Sequence, residues 1–202
     1  PPDYNGMKFV REQSRPISAD NGLMDMARLI ESGQLPPRAA KPGSFTTIDT
    51  NAKYDAHLLG YVDKAKLKPL KVVVNAGNGG AGLVVDRLEA HLPFKFVKVH
   101  HEPDGTFPNG VPNPMLEENR KPTIDAIQRT GADVGLAWDG DFDRCFFFDE
   151  AGVFVEGYYL VGLLAQAFLE REPGARIVHD PRLTWNTLDL VHEFGGKAVL
   201  CK

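Results

Sequence analysis

Lys71-Val72-Val73-Val74, running directly into Asn75-Ala76-Gly77-Asn78-Gly79-Gly80, is the stretch on which the reading of this sequence turns. A short apolar run bounded by turn residues reads as a strand buried on both faces. Leu83 to Leu92 follows with helical spacing and Phe94 to Val99 reads as a second strand, so the stretch forms a β-loop-α-β unit.

Toward the C-terminus, His101 to Pro114 is dense in Pro, Gly and Asn and reads as a long ordered surface loop. Thr123 to Thr130 is helical and Val134 to Ala137 is a third strand. Cys145 to Phe148 is a fourth, paired with Val153-Phe154-Val155 across the turn Asp149 to Gly152. Tyr158 to Glu170 is an apolar helix, Arg176 to His179 a strand and Asn186 to Glu193 a helix, before a last strand starts near Ala198. Toward the N-terminus, Asp49 to Val62 is helical, and Gln34 to Ser44, rich in Pro, Gly and basic residues, is a linker. Asp20 to Glu31 is a helix with Leu23, Met26, Ala27 and Ile30 on one face, and residues 1–10 read as turn, then strand. The alternation predicts an α/β protein with mixed, mostly parallel sheets flanked by helices.

Composition narrows the function. The 202 residues are 43% hydrophobic and 25% charged, unlike a disordered or fibrous chain. Lys and Arg number 23 against 27 Asp and Glu, a net charge of −4 that argues against nucleic-acid binding. No apolar run reaches the roughly 18 to 20 residues that span a bilayer, and no signal-peptide pattern opens the chain, so no membrane partner and a cytoplasmic location are expected. Cys145 and Cys201 fit neither a disulfide scaffold nor metal spacing and read as small buried hydrophobes. The chain opens Pro1-Pro2 without Met and stops at Lys202 after Ala198-Val199-Leu200, so both ends are expected to be cuts inside something larger.

Chemistry concentrates in Asp139-Gly140-Asp141-Phe142-Asp143-Arg144, directly after the strand ending at Trp138. Carboxylates at every second residue of an extended chain share a side but stand about 6 to 7 Å apart, too far to share an ion. They converge if the backbone curls, and Gly140 is expected to supply that freedom. An all-oxygen trio suits a hard cation such as Mg²⁺, and its apolar walls would leave the charges repelling unless a cation or Arg144 neutralised them. An EF-hand is excluded: Glu150 falls at the twelfth position, but the sixth is Arg144 where Gly is needed, and the flanks are strands.

Gly77-Asn78-Gly79-Gly80-Ala81-Gly82 satisfies G-x-G-x-x-G between strand and helix, with Glu102 available as an acidic ribose partner. A dinucleotide-binding oxidoreductase is therefore the alternative function. The competing view is that the glycines serve tight packing, and three clustered aspartates have no role in hydride transfer. No G-x-S-x-G or H-E-x-x-H occurs; His100-His101 reads as a satisfied or exposed pair and His179-Asp180 as a chance neighbour.

The aspartate motif resembles that of the α-D-phosphohexomutases, and within them the bacterial phosphomannomutase/phosphoglucomutase group. The likeness extends to Pro1-Pro2-Asp3-Tyr4-Asn5-Gly6-Met7-Lys8, to Asn75-Ala76-Gly77-Asn78-Gly79, to Pro103-Asp104-Gly105 through Phe107-Pro108-Asn109-Gly110, and to Glu156-Gly157-Tyr158-Tyr159. It implies an isomerase-class intramolecular phosphotransferase of four domains, the first three similar three-layer α/β units. Such an enzyme interconverts hexose 6-phosphate and hexose 1-phosphate, of mannose or glucose, through a phosphoserine and a bisphosphorylated sugar. By the resemblance, Asp139, Asp141 and Asp143 hold Mg²⁺, Arg144 lies beside the phosphate, Lys8 is the general acid/base, and Lys202 is a substrate contact. The implied division is 1–44 as the end of a first domain, 45–152 as a second domain with the metal loop, and 153–202 as the start of a third. The family's serine loop would precede Pro1 and its sugar-recognising loop would follow Lys202. The chain alone is then expected to show no turnover, with the remaining domains of the same polypeptide as its partners. A non-catalytic module that binds only a structural ion is the third reading.

Overall fold

The computed structural model describes residues 6–182 and 184–201. They fall into two compact units, residues 1–54 and 55–202, the first counted from a terminus whose initial five residues are outside the description.

In the first unit the main element is α1, Leu23–Ser32, which ends at Gly33 in the left-handed conformation with its N–H on the Ile30 carbonyl. Met26 and Ala27 are half-buried while Ile30 is 67% exposed, so only part of the expected apolar face is covered within the unit. The strand expected before residue 10 is not formed by the described residues. Val10 makes a single antiparallel bridge to Pro16, whose ring cannot donate to a ladder. Gln34 to Ser44 is irregular and exposed, as a linker composition dictates.

α2, Asn51–Leu59, is shorter than its sequence pattern, giving way to turns at Gly60. In the second unit, β1 (Lys71–Asn75), α3 (Ala81–Glu89), β2 (Lys95–Val99), α4 (Lys121–Thr130), β3 (Val134–Trp138), β4 (Cys145–Phe148) and β5 (Phe154–Val155) follow in order. The sheet runs β2-β1-β3-β4-β5: β1 is parallel to β2 and β3, and the last two pairings are antiparallel.

The valines of β1 explain the layering. Val73 is fully buried against Ile127 and Ala126 of α4 and Phe148 of β4. Val72 and Val74, pointing the other way, pack with Val85 of α3 and with Phe96, Leu136 and Trp138. A strand covered on both faces cannot alternate polar with apolar, which is why the run is continuous. Asp55 on α2 and Arg87 on α3 form a charge-assisted pair at 2.8 Å.

The remainder, α5 (Gly157–Arg171), β6 (Arg176–His179), α6 (Trp185–Glu193) and β7 (Lys197–Leu200), forms a two-stranded parallel sheet with both helices packed through Ala165, Leu169 and Val191. Gly162 lets α6 approach α5: a Cβ there would run into the side chains of Asn186 and Leu190. Among the described residues no helix is long and apolar enough to cross a membrane.

Candidate metal centre

β1 and β3 are adjacent and parallel, yet β1 is followed by a crossover to β2 on one side while β3 is reached from β2 by a crossover past β1. In open α/β sheets ligands gather at the carboxyl ends of strands where the strand order reverses. Two loops leave the sheet at that point. Asn75 leads into the glycine turn, and Trp138 leads into Asp139–Arg144, which closes the β3–β4 hairpin above the Trp138–Cys145 pair.

The hairpin loop curls as the chemistry requires. One oxygen from each of Asp139, Asp141 and Asp143 lies within 4.8 Å of the others. The curl comes from Phe142, at φ +48°, with its N–H on the Asp139 carbonyl at 3.1 Å; Gly140 keeps an ordinary negative φ. Gly140 instead lies close under the ring of Phe107, where a Cβ would sit 3.1 Å from Cζ and press on the ring.

The three carboxylates are not equivalent. Asp139 is 2% exposed, whereas Asp141 and Asp143 face solvent. The Arg144 N–H donates to Asp139 Oδ1 at 3.2 Å, the Arg144 guanidinium ion-pairs with Asp139 Oδ2, and its Nε lies 3.5 Å from Asp143 Oδ1. Apart from that ion pair, this buried oxygen accepts no hydrogen bond from the described residues. A buried carboxylate oxygen without a hydrogen bond, two further carboxylates beside it and no nitrogen or sulfur donor make a set that fits a hard divalent cation.

Around this loop the sequence motifs take definite places. Asn78, at φ +58°, donates its N–H to His100 O at 2.7 Å and its side chain to Glu102 O at 2.9 Å. Its Oδ1 accepts from Asn109 Nδ2 at 2.8 Å. Asn75 donates to Thr123 Oγ1 at 2.9 Å and accepts from Gly77 N–H at 3.0 Å, so the end of β1, α4 and the glycine turn are one buried network. Asp104 accepts from the N–H and hydroxyl of Thr106, which hold its carboxyl below the usual range. In the sequence Asn78, Asn109 and Phe107 are only members of motifs, and the Pro-Asn-Gly and Gly-Asn-Gly turns are the signal that points to their roles.

The glycine turn does not serve a dinucleotide. Pro112 occupies the space beside Gly77, the Gly140 carbonyl that beside Gly79, the Phe142 ring that beside Gly80 and the His101 carbonyl that beside Gly82. A pyrophosphate site needs the space beside the second glycine of the motif, here Gly79, open to a ligand. Here protein fills it, which supports packing as the reason for the glycines and removes the oxidoreductase alternative.

Lys8 is exposed in the irregular segment of the first unit ahead of Val10. Lys202, and Pro1 to Asn5 of the Pro-Asp-Tyr-Asn-Gly run, lie outside the described residues. His100 sits at φ +41°, and burial lowers its pKa. His101 Nε2 meets Asp86 at 2.8 Å in a cluster with Lys98 and Glu89. The Lys98 hydrogen bond, aided by His101, holds the Asp86 carboxyl low.

Both cysteines are exposed, against the expectation of burial. Surrounding protein nevertheless desolvates the Cys145 sulfur enough to push its thiol up to about 12, so it carries no thiolate at neutral pH. Iodoacetamide at pH 8 is expected to label Cys145 up to roughly a thousandfold more slowly in the native chain than in urea, following the thinned thiolate. Equal rates by peptide mass analysis would contradict this.

The fold and site together define an α/β protein with an acidic hairpin loop seated at the switch point of its sheet. Residues 52–152 match the family model for phosphoglucomutase/phosphomannomutase, alpha/beta/alpha domain II, and the chain belongs to that family. The whole chain is 60% identical to the "Phosphohexose mutases" protein of Xanthomonas campestris pv. campestris strain B100 and 58% identical to the phosphomannomutase of Salmonella typhimurium, covering 45% and 46% of them. The crystal structure of a phosphoglucomutase/phosphomannomutase family protein from Burkholderia thailandensis superposes on 92% of this chain and 39% of its own, with a TM-score of 0.82 at 32% identity. The chain thus spans less than half the length of the curated relatives it matches.

Proposed function

We propose that a protein of the relatives' length containing this chain is a phosphohexomutase, interconverting hexose 6-phosphate and hexose 1-phosphate of mannose or glucose through a phosphoserine and a bisphosphorylated sugar. The observation that carries the reading is the convergence of Asp139, Asp141 and Asp143 within 4.8 Å in a chain 60% identical to phosphohexose mutases. The domain division is proposed at 1–44, 45–152 and 153–202, with the remaining domains of the same polypeptide completing the site in the cytoplasm.

Asp139, Asp141 and Asp143 would hold Mg²⁺, which when bound supplies positive charge against a phosphoryl group. Asp139, buried and oriented by the Arg144 N–H, would be the fixed ligand, and the exposed Asp141 and Asp143 would complete the set. Arg144 has two tasks. It balances the trio through its contacts with Asp139 and Asp143, and its half-exposed guanidinium would stabilise phosphate oxygens as charge develops. Lys8 is assigned as general acid/base at the reacting hydroxyl and Lys202 as a contact to the sugar phosphate, both by likeness of motif. Phosphoryl transfer asks mainly for positioning and charge neutralisation, which these groups provide.

The test is turnover of glucose 1-phosphate and mannose 1-phosphate by the full-length protein, with the cognate bisphosphate and Mg²⁺ present and with EDTA as control. Conversion to the 6-phosphate that EDTA stops is the expected result. A protein that binds Mg²⁺ yet converts neither sugar phosphate would overturn the assignment.

A further inference from the structure

The glycine turn and the acidic loop are remote in sequence but meet as two halves of one joint. The Gly140 carbonyl lies where a Cβ on Gly79 would be, 2.5 Å from that position, and the Phe142 ring lies against Gly80 with Cδ1 2.8 Å from its ideal Cβ. On the other side, Phe107, itself at φ +49°, presses on the face of Gly140, and its segment is tied back to the turn through Asn109 and Asn78. Phe142 is held in a left-handed conformation that a residue with a side chain adopts only under constraint. That conformation is what turns Asp139, Asp141 and Asp143 from an extended row into a cluster.

We propose that Gly79 and Gly80 are positioning residues for the metal loop: they form a seat that receives the Gly140 carbonyl and the Phe142 ring, and so fix the spacing of the three carboxylates and the affinity of the site for a divalent cation. The inference rests on the metal reading of the aspartates and extends it to residues that touch neither ion nor substrate.

Neither glycine is required by its own backbone. Gly80 has φ −76°, and Gly79 is not among the glycines of positive φ, so alanine fits both conformations; at 80 the nearest obstacle is the Phe142 ring, and at 79 it is the Gly140 carbonyl, with the Ala76 carbonyl of the turn itself next at 3.2 Å. Alanine at 79 must push on backbone, and alanine at 80 must push on a ring; both displace the loop that carries the ligands. Residues that orient metal ligands typically change affinity by roughly 10- to 100-fold when altered.

The experiment measures Mg²⁺ binding by titration calorimetry and Mn²⁺ binding by electron paramagnetic resonance on the full-length protein. The variants are Gly79→Ala, Gly80→Ala, Gly80→Ala combined with Phe142→Gly, and Asp141→Ala, each checked by circular dichroism in EDTA. The expected result is a loss of roughly 10- to 100-fold for each alanine at unchanged secondary structure. Most of the loss at Gly80 should be recovered when Phe142→Gly removes the ring and relieves the left-handed strain. Should Gly79→Ala fail to fold, the Gly80 pair decides alone. Wild-type affinity in folded Gly80→Ala, or a loss that Phe142→Gly does not relieve, overturns the seat while leaving the metal reading intact. A wild-type protein that binds neither ion, or an Asp141→Ala protein that binds as well as wild type, overturns the metal reading and the seat with it.

Discussion

Asp141→Ala is expected to abolish Mg²⁺-dependent turnover and Mg²⁺-induced stabilisation of the full-length protein without lowering its stability in EDTA. The two effects separate because Asp141 is exposed and supports no packing, while its charge sits within 4.8 Å of two others. At about 4 Å, like charges in water repel by about 1 kcal/mol, and Arg144 offsets part of this through Asp139 and Asp143. Removing Asp141 relieves that repulsion in the metal-free protein. In wild type, Mg²⁺ at a hundredfold excess over its dissociation constant should add about 2.7 kcal/mol, a melting rise of roughly 5 to 10 °C for a unit of this size. In the variant the rise should vanish and the EDTA melting point should stay level or increase. Retained turnover with an unchanged Mg²⁺ shift would remove Asp141 from the ligand set.

That the aspartates cluster was legible because charge repulsion has few resolutions in apolar surroundings, but the device that clusters them was not. Sequence reasoning assigned the curl to Gly140, the residue with the greatest backbone freedom. The structure uses Phe142, because tertiary contacts with Gly79 and Gly80 supply the constraint and Gly140 is taken up in admitting Phe107. A glycine in a motif announces missing volume or unusual φ, and local sequence does not say which, nor what fills the volume. The same ambiguity made Gly77 to Gly82 resemble a dinucleotide loop until Pro112, Gly140, Phe142 and His101 were found in the space. The alternation of strands and helices and the two-faced burial of Val72 to Val74 were readable, since period and turn chemistry are local. The burial of Cys145 and Cys201 was misjudged because the preference of the residue type says nothing about a strand that starts at a loop or ends at an edge.

Phe148→Ala should cost about 3 to 5 kcal/mol, the usual range for emptying a fully buried aromatic site, and should leave Mg²⁺ affinity nearly unchanged. Phe148 is completely buried, lies in register with Gly135 on β3 and Phe154 on β5, and meets the Phe154 ring edge-on at 5.4 Å between centroids. Its neighbours Val73 and Ile127 belong to the β1–α4 layer, so the cavity would open at the centre of the sheet. The acidic loop joins the other end of the same strand, at Cys145, about 10 Å away along the backbone, far enough for independent effects to add. If the glycine seat sets the carboxylate spacing, the loop should keep its shape in the folded fraction of Phe148→Ala. Saturating Mg²⁺ should then raise the melting point of this variant by the same free energy as in wild type. If hairpin register sets the spacing instead, weakening the β3–β4–β5 core should erode metal affinity along with stability, and the Mg²⁺ increment should shrink. The size of that increment, measured beside the melting point in EDTA, therefore tells which of the two contacts holds the aspartates together.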